Sequence, residues 1–313
     1  MSKGAIGAFF KEDYLMAIKT FDELVARVKT GKRRTVALVC ADDAHALEAV
    51  IHAKDIVDSI LVGEREKIEA VLVSLGQDPK NFEIVEVPEG MHPSVCAAKL
   101  IKEGRADFLM KGKIMTGQML KGVLDPEADL RTGSLMSHCM MVEIPGYHKL
   151  VCVTDGGMCT YPDLEKKVKI VKNAVEFFHK LGYEKPNVAA LCAIETINPK
   201  MQETVDAAEL KRMSIEGELP SCYVEGPISY DLAMVPELSA IKGYDCPCVG
   251  DFDILLVPEI VVGNVLGKSL VYTAGGRMAG LIMGCKVPIV LASRGSSAEE
   301  KYYSLALGAG FVS

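Results

Sequence analysis

The stretch TVALVCADDAHALEAVIHAKDIVDSILVG, residues 35–63, decides the fold. It opens and closes with short apolar runs, TVALVC (35–40) and SILVG (59–63). Between them, Asp42 and Asp43 offer caps to a segment of helical character, AHALEAVIHAKD. Two continuous apolar strands around a helix form a βαβ unit, which predicts parallel strands buried on both faces of a sheet.

The same alternation continues along the rest of the chain. Near 139–155 the rhythm changes, and CMMVEI, PGYH and KLVCVTD together predict a β-hairpin with a Pro-Gly turn. A second series of helices and strands follows the hairpin. We therefore predict an α/β fold with mostly parallel sheets. The later helices are predicted at 163–181, 200–213, 230–241, 262–278 and 296–308, and the last strand is PIVLA (288–292).

Length and charge limit the function classes. A chain of 313 residues favours two domains. The net charge of −7 disfavours a nucleic acid or an anionic membrane surface as a partner. An anionic ligand would then be held by a few local basic residues and backbone N–H groups.

Cysteine usage predicts a reducing compartment. The chain has ten Cys, and several lie inside apolar runs, as Cys40, Cys152 and Cys192 do. Buried free thiols explain this better than a disulfide framework. Cys246 and Cys248 lack the second pair that a metal site would need, so we predict no metal. No signal peptide and no apolar run of about 18 residues is present, which predicts a cytoplasmic protein that does not span a membrane.

Ligands of open parallel sheets bind at the carboxyl ends of the strands, so the turns after the apolar runs hold the candidate residues. In MKGKIMTGQML (110–120), Thr116 stands near a helix start, where free N–H groups favour phosphate. In LRTGSLMSHCM (130–140), Arg131 and Ser137 are candidate phosphate ligands. His138 is either a general base or, more commonly for a single histidine, a structural residue.

Two more turns carry glycine. In VTDGGMCTYPD (153–163), Asp155 and two glycines after a strand suit a close approach to a ligand, or a turn before a helix capped by Asp163. In VPEIVVGNVLGKSLVY (257–272), Gly267-Lys268-Ser269 ends like a phosphate-binding P-loop. That motif requires glycine where this chain has Val262, so nucleotide hydrolysis is disfavoured.

The segment IVLASRGSSAEE (289–300) gathers a small hydroxyl, a guanidinium and a helix start at the end of a buried strand. Ser293 and Arg294 suit a tetrahedral oxyanion there. Glu300 has two alternatives, which are a catalytic base and the third residue of a capping box begun by Ser297.

These motifs, in this order, resemble the phosphate acetyl/butyryltransferase family, and the butyryl branch most. The resemblance covers about residues 15–308 and implies two α/β/α three-layer domains with an active-site cleft between them. Their implied bounds are 1–142 plus 287–313, and 143–286. It also implies active-site roles for Ser293 and Arg294.

The resemblance extends to further positions. Glu300 stands where acetyl enzymes have an aspartate that acts on the CoA thiol. Gly263, Asn264 and Lys268 match a conserved GN–K pattern, and together with Thr116, Arg131, Ser137 and Asp155 they are the implied phosphate and CoA ligands. Gly267 stands where the family usually has tyrosine.

The implied reaction is acyl-CoA plus phosphate giving acyl phosphate plus CoA, with a butyryl or propionyl group preferred. It implies CoA as a substrate, no permanently bound cofactor, and a homo-oligomer of at least two subunits. The alternatives are a phosphate acetyltransferase, an enzyme that uses acyl carrier protein in place of CoA, a metal-dependent decarboxylating dehydrogenase of similar fold, and a non-catalytic binding protein.

Overall fold

The computed structural model describes residues 16–291 and 295–312, in which strands and helices alternate. The strands are β1 (Arg34–Val39), β2 (Val57–Gly63), β3 (Glu83–Glu86), β4 (Phe108–Lys111), β5 (Ser137–Glu143), β6 (Val151–Thr154), β7 (Asn187–Leu191), β8 (Tyr223–Ile228), β9 (Ile254–Leu256), β10 (Arg277–Met283) and β11 (Ile289–Val290). The helices are α1 (Phe21–Thr30), α2 (Ala44–His52), α3 (Arg65–Ser74), α4 (Pro93–Lys102), α5 (Thr116–Val123), α6 (Leu164–Lys180), α7 (Gln202–Ile215), α8 (Tyr230–Met234), α9 (Glu237–Lys242), α10 (Ile260–Tyr272) and α11 (Ala298–Phe311).

All these strands join in one sheet, in the order β3-β2-β1-β4-β11-β10-β5-β6-β9-β7-β8. Neighbours are antiparallel at β11–β10, β10–β5 and β5–β6, and parallel elsewhere. The predicted α/β fold with a mostly parallel sheet is confirmed. Because three antiparallel contacts separate the two parallel groups, those groups run in opposite directions.

One sheet passes through both predicted domains. After α10 the chain returns to the N-terminal group of strands, because β11 pairs in parallel with β4. The following helix, α11, packs on α1 and α2. The joined sheet has no break of its own, and the division into domains at 142–143 and 286–287 stays a prediction.

The two faces of the sheet are covered differently. Alternate residues such as Met110 of β4 and Cys139 of β5 belong to one core that continues across the whole sheet under α1, α2, α6, α7 and α11. On the other face the core is split. Leu109 belongs to a cluster with α4 and α5, whereas Met140 belongs to another with α8 and α10. The central strands contribute to both clusters, Ile282 of β10 to the first and Met140 of β5 to the second.

The predicted hairpin is confirmed. β5 and β6 pair antiparallel, with Met140 opposite Val153 and Val142 opposite Val151. Gly146 in the connecting turn has φ +87°, a backbone conformation that glycine adopts without steric cost.

Two predicted helices differ from the structure. The helix expected at 230–241 is two short helices, α8 and α9. Pro236 separates them, because proline cannot donate a backbone hydrogen bond and keeps the preceding Val235 extended. The helix expected at 262–278 ends at Tyr272, since Gly275 turns the chain with φ +73° and β10 begins two residues later.

All ten cysteines are free thiols. Cys246 and Cys248 bring their sulfur atoms to 3.5 Å. Within the described ranges, no group of three or more His, Cys, Asp and Glu side chains has a metal-binding arrangement. No helix in those ranges is long and apolar enough to cross a membrane.

Candidate active site

The turn after β6 is organised by a buried carboxylate. Asp155 is 2 % exposed, and its Oδ1 accepts hydrogen bonds from the backbone N–H groups of Gly157, at 2.8 Å, and Met158, at 2.7 Å. Its Oδ2 accepts from the His138 N–H at 3.0 Å. Three backbone donors thus use the carboxylate that we predicted as a ligand, and the contacts that the structure shows for it are internal.

Helix α10 begins directly against this turn. Asn264 Nδ2 donates to the Gly156 carbonyl oxygen at 3.2 Å. A Cβ on Gly263 would stand 2.8 Å from Gly156 Cα and 2.9 Å from the Asp155 carbonyl oxygen, so only glycine allows this approach. The packing of α10 on this turn therefore explains the presence of Gly263 and Asn264 independently of any ligand.

The start of β5 holds Ser137 and His138 on opposite faces of the sheet. Ser137 is completely buried, and its Oγ accepts from Asn173 Nδ2 at 2.8 Å. The His138 ring lies between Gly157 and Gly280, where added Cβ atoms would stand 3.1 Å from Nδ1 and 2.7 Å from Nε2 respectively.

The sequence left the role of His138 undecided between a general base and a structural residue. Its Nδ1 is buried and has no hydrogen-bond partner among the described residues. Burial lowers the pKa of the imidazole, and the nearby Asp155 carboxylate opposes that shift. A histidine with a lowered pKa is neutral at neutral pH. The only sequence signal for it is its place beside Ser137.

A second group of candidates lies after β4. Thr116 is the first residue of α5 and is half-buried. The loop before it is tight, because a Cβ on Gly112 would stand 2.2 Å from the Cys40 carbonyl oxygen. Lys111 Nζ donates to the carbonyl oxygens of Gly112 and Ile114, at 3.2 and 3.1 Å. This loop lines an open cavity of about 570 Å³.

The start of α11 shows both alternatives for Glu300. Ser297 is the N-cap, and its Oγ accepts from the Glu300 N–H at 3.0 Å. The Glu300 carboxylate oxygen Oε1 accepts from Ser296 Oγ at 2.5 Å. Burial raises the pKa of Glu300, and the Ser296 hydroxyl, the Ser297 backbone and Lys301 oppose that shift. The Ser297 hydroxyl caps the helix by accepting the Glu300 N–H, while the Glu300 carboxylate stays a candidate base. The predicted Ser293 and Arg294 lie outside the described residues.

The remaining candidates are basic. Lys268 is exposed on α10, one turn after Asn264, and has no hydrogen bond or ion pair with the described part of the chain. Arg131 is exposed, and its Nε donates to the Leu124 carbonyl oxygen.

The structure separates the candidates into two groups. Ser137, which lies beside the Asp155 turn, pairs with Met283 at the end of β10. Arg277 at the start of β10 lies 3.6 Å from Glu299 in the first turn of α11. Arg277 and Met283 are six residue steps apart along β10, which corresponds to about 20 Å at the usual rise of a strand. The first group contains Ser137, Asp155, Gly263 and Asn264; the second end carries Glu300.

Helix α10 connects the two ends. Gly263 touches the Asp155 turn, and the Leu270 carbonyl oxygen accepts from Gly276 N–H just before β10. Lys268 lies between these two contacts.

One known protein family matches most of this chain. Residues 88–309 match the family model described as "Phosphate acetyl/butaryl transferase". The chain belongs to this family. The phosphate butyryltransferase of Clostridium acetobutylicum is 41% identical over 294 residues, which cover 93% of this chain and 98% of that protein. The phosphate acetyltransferase of Thermotoga maritima is 38% identical over 294 residues, covering 93% of this chain and all of that protein.

A solved relative has the same fold. The branched-chain phosphotransacylase of Enterococcus faecalis V583 superposes with a TM-score of 0.77 at 33% identity, covering 89% of this chain and 99% of that one. Gly267 stands where the resemblance to the family implies a tyrosine. A Cβ there would stand 2.2 Å from Met140 Sδ, so glycine lets α10 lie directly on β5.

Proposed function

We propose that this enzyme exchanges CoA and inorganic phosphate on a short acyl group. Membership in the phosphate acyltransferase family supports the reaction. The observation in the structure that carries it is Glu300, a half-buried carboxylate whose pKa is raised by burial, at the start of the helix that follows Ser293 and Arg294. A raised pKa makes a carboxylate a stronger base, as proton transfer from a thiol requires.

In the direction of acyl phosphate formation, a phosphate oxygen attacks the thioester carbonyl carbon. A tetrahedral intermediate forms, the C–S bond breaks, and the CoA sulfur takes a proton from Glu300, which is replaced by the proton that the attacking phosphate loses. In the opposite direction Glu300 removes the thiol proton, since the thiolate is the nucleophile. The C–S bond then forms, the bond from carbon to the phosphate oxygen breaks, and the departing phosphate takes up the proton.

The phosphate needs positive charge and donors that are already oriented. We assign Arg294 to the phosphate and Ser293 to the developing oxyanion. Thr116 supports this assignment by opening α5, where N–H groups are free and the helix dipole favours an anion. Lys268 supports it as a cation with no partner in the described ranges.

The other predicted ligands receive a different proposal. Ser137 and Asp155 are buried and hydrogen-bonded within the protein, and Gly263 and Asn264 hold α10 against the Asp155 turn. We propose that this group positions α10, and through it Lys268, rather than contacting phosphate. Arg131 keeps its proposed role as a phosphate or CoA ligand, since an exposed guanidinium suits an anionic ligand.

We propose butyryl and propionyl as the preferred acyl groups, because the butyryltransferase of C. acetobutylicum is 41% identical and the acetyltransferase of T. maritima is 38% identical. A phosphate acetyltransferase is the second candidate function, because the two sequence identities differ little. The test is release of free CoA thiol from acetyl-, propionyl- and butyryl-CoA, with and without phosphate. The proposal requires dependence on phosphate and the highest kcat/KM with butyryl- or propionyl-CoA.

We also propose that the enzyme works in the cytoplasm as a homo-oligomer, with CoA as a substrate and no permanently bound cofactor. Ten free thiols suit a reducing compartment. Light scattering of the purified enzyme tests the assembly, and activity after dialysis against a chelator tests the requirement for a cofactor.

A further inference from the structure

Two neighbouring serines at the start of α11 have different partners. Ser297 accepts the Glu300 N–H at 3.0 Å and is the N-cap of the helix. Ser296 donates its hydroxyl to Glu300 Oε1 at 2.5 Å and is only 8 % exposed. The helix start is therefore satisfied without the Ser296 hydroxyl, so capping does not explain the contact between Ser296 and the carboxylate.

The hydrogen bond from Ser296 affects the pKa of Glu300. Burial is the largest influence on the carboxyl and raises its pKa, and the Ser296 hydroxyl is the largest influence in the opposite direction. The Ser297 backbone and the adjacent Lys301 act in the same direction as Ser296. Arg277, the charged residue of β10, pairs with carboxylates other than that of Glu300. Arg277 of β10 lies 2.8 Å from Glu143 of β5 and 3.6 Å from both Asp22 of α1 and Glu299.

We propose that Ser296 is a positioning residue that orients the Glu300 carboxylate for proton transfer with the CoA thiol. The inference rests on the proposed function, in which Glu300 is the base. A carboxylate held at one oxygen by a buried hydroxyl keeps a single orientation. Its other oxygen, Oε2, is then left to meet the thiol proton in a fixed direction, which is what an efficient general base requires.

Loss of the hydroxyl has two consequences. The carboxylate gains rotational freedom, which lowers kcat. It also loses a donor that favours its charged form, so more of the enzyme is protonated at Glu300 at a given acidic pH. The acid side of the pH profile therefore moves to higher pH in the direction that consumes CoA.

The experiment compares Ser296→Ala, Ser296→Thr and the matched control Ser297→Ala. The first readout is kcat/KM for CoA with butyryl phosphate between pH 4.5 and 8. The second is the titration of the Glu300 carboxyl carbon by 13C NMR, assigned through the loss of its signal in Glu300→Gln. The third is the midpoint of urea unfolding.

Ser296→Ala is expected to move the acid limb upward by about one pH unit, to move the NMR midpoint in the same direction, and to lower the stability at pH 7 by no more than the about 1.4 kcal/mol that one pKa unit represents. Ser296→Thr keeps a hydroxyl and is expected to restore both midpoints. Ser297→Ala is expected to lower the unfolding midpoint through loss of the cap while leaving the acid limb in place.

The proposal is overturned if the NMR midpoint of Glu300 is the same in Ser296→Ala and wild type, or if Ser296→Thr behaves like Ser296→Ala. Failure of the proposed function has a different signature. Fully active Glu300→Gln, or thiol release without phosphate, would remove the base assignment and the reaction whatever the Ser296 variants do to the NMR midpoint.

Discussion

The carboxylate of Asp155, at the end of β6, accepts the backbone N–H of His138, at the start of β5, at 3.0 Å. Two further N–H groups of the following turn share the same carboxylate. This contact closes the hairpin that joins the two parallel groups of strands, and α10 is seated on it. The geometry of the proposed site therefore depends on a buried acceptor that need not touch the substrate.

Replacement of Asp155 by Ala is expected to destabilise the fold by about 2–4 kcal/mol, because three backbone donors lose their acceptor inside the protein. Urea unfolding at pH 7 measures the change. The exposed Asp129→Asn serves as the control and is expected to leave the midpoint nearly unchanged. A wild-type midpoint for Asp155→Ala would show that the turn does not depend on the carboxylate.

Gly263→Ala is expected to displace α10 and cost about 1–3 kcal/mol of stability, because the new Cβ would meet backbone atoms of Gly156 and Asp155. Gly117→Ala in α5 is the matched control, since its Cβ meets nothing within 4 Å. The control is expected to be neutral or more stable by about 0.5–1 kcal/mol. Equal thermal midpoints for the two variants would contradict the packing role of Gly263.

Lys268→Met is expected to lower kcat/KM for phosphate by about 10–100-fold without loss of stability, because the exposed ammonium has no partner in the described ranges and is free to pair with an anion. Lys242→Met, at a lysine that pairs with Glu195 and Asp231, is the control. Unchanged phosphate kinetics in Lys268→Met would place the phosphate elsewhere.

Glu300→Gln is expected to lower kcat by about 10²–10⁴-fold in the direction that consumes CoA. It is also expected to raise stability at pH 7. Since the pKa of Glu300 is raised in the folded protein, the stability that the glutamate contributes is fully present below the ordinary carboxyl value and is lost as pH rises through the raised value. Thermal midpoints of wild type and variant should therefore converge near pH 4 and separate at pH 7. A variant that is less stable at pH 7 would contradict the burial argument.

Arg294→Ala is expected to abolish most of the turnover, by about 10²–10⁴-fold, with the fold intact, because a guanidinium that neutralises phosphate acts directly in the transition state. Arg294→Lys is expected to restore only part of it, since an ammonium cannot make the two-pronged contact. Near-normal turnover of Arg294→Ala in the thiol-release assay would show that the assignment is wrong.

Much of the fold follows from local pattern. The run at 35–63 contains β1 and β2 within one or two residues of their predicted ends, and α2 begins at the predicted residue and ends three residues early, because continuous apolar strands and an aspartate cap are local signals. The opposite directions of the two parallel groups are not local, since they depend on β10, which pairs with β5 from 134 or more residues away in the chain. The helix predicted at 262–278 overlaps the first two residues of that strand.

The site divides in the same way. The start of α11 was predictable, because Ser297 and Glu300 have the spacing of a capping box. That pattern is local, since it involves residues only three positions apart. The hydrogen bond from Asn173 to Ser137 was not predictable, since the two residues lie 36 positions apart. Likewise Gly157 and Gly280, the two glycines that enclose the His138 ring, come together only in the folded sheet.

The most direct measurement traps the acyl product. Purified enzyme is given butyryl-CoA and phosphate, and hydroxylamine converts any butyryl phosphate to a hydroxamate, which is counted against the free CoA thiol released. Phosphate acyl transfer predicts one hydroxamate for each thiol and neither product without phosphate. Thiol release without hydroxamate, or at the same rate without phosphate, would contradict the proposed function.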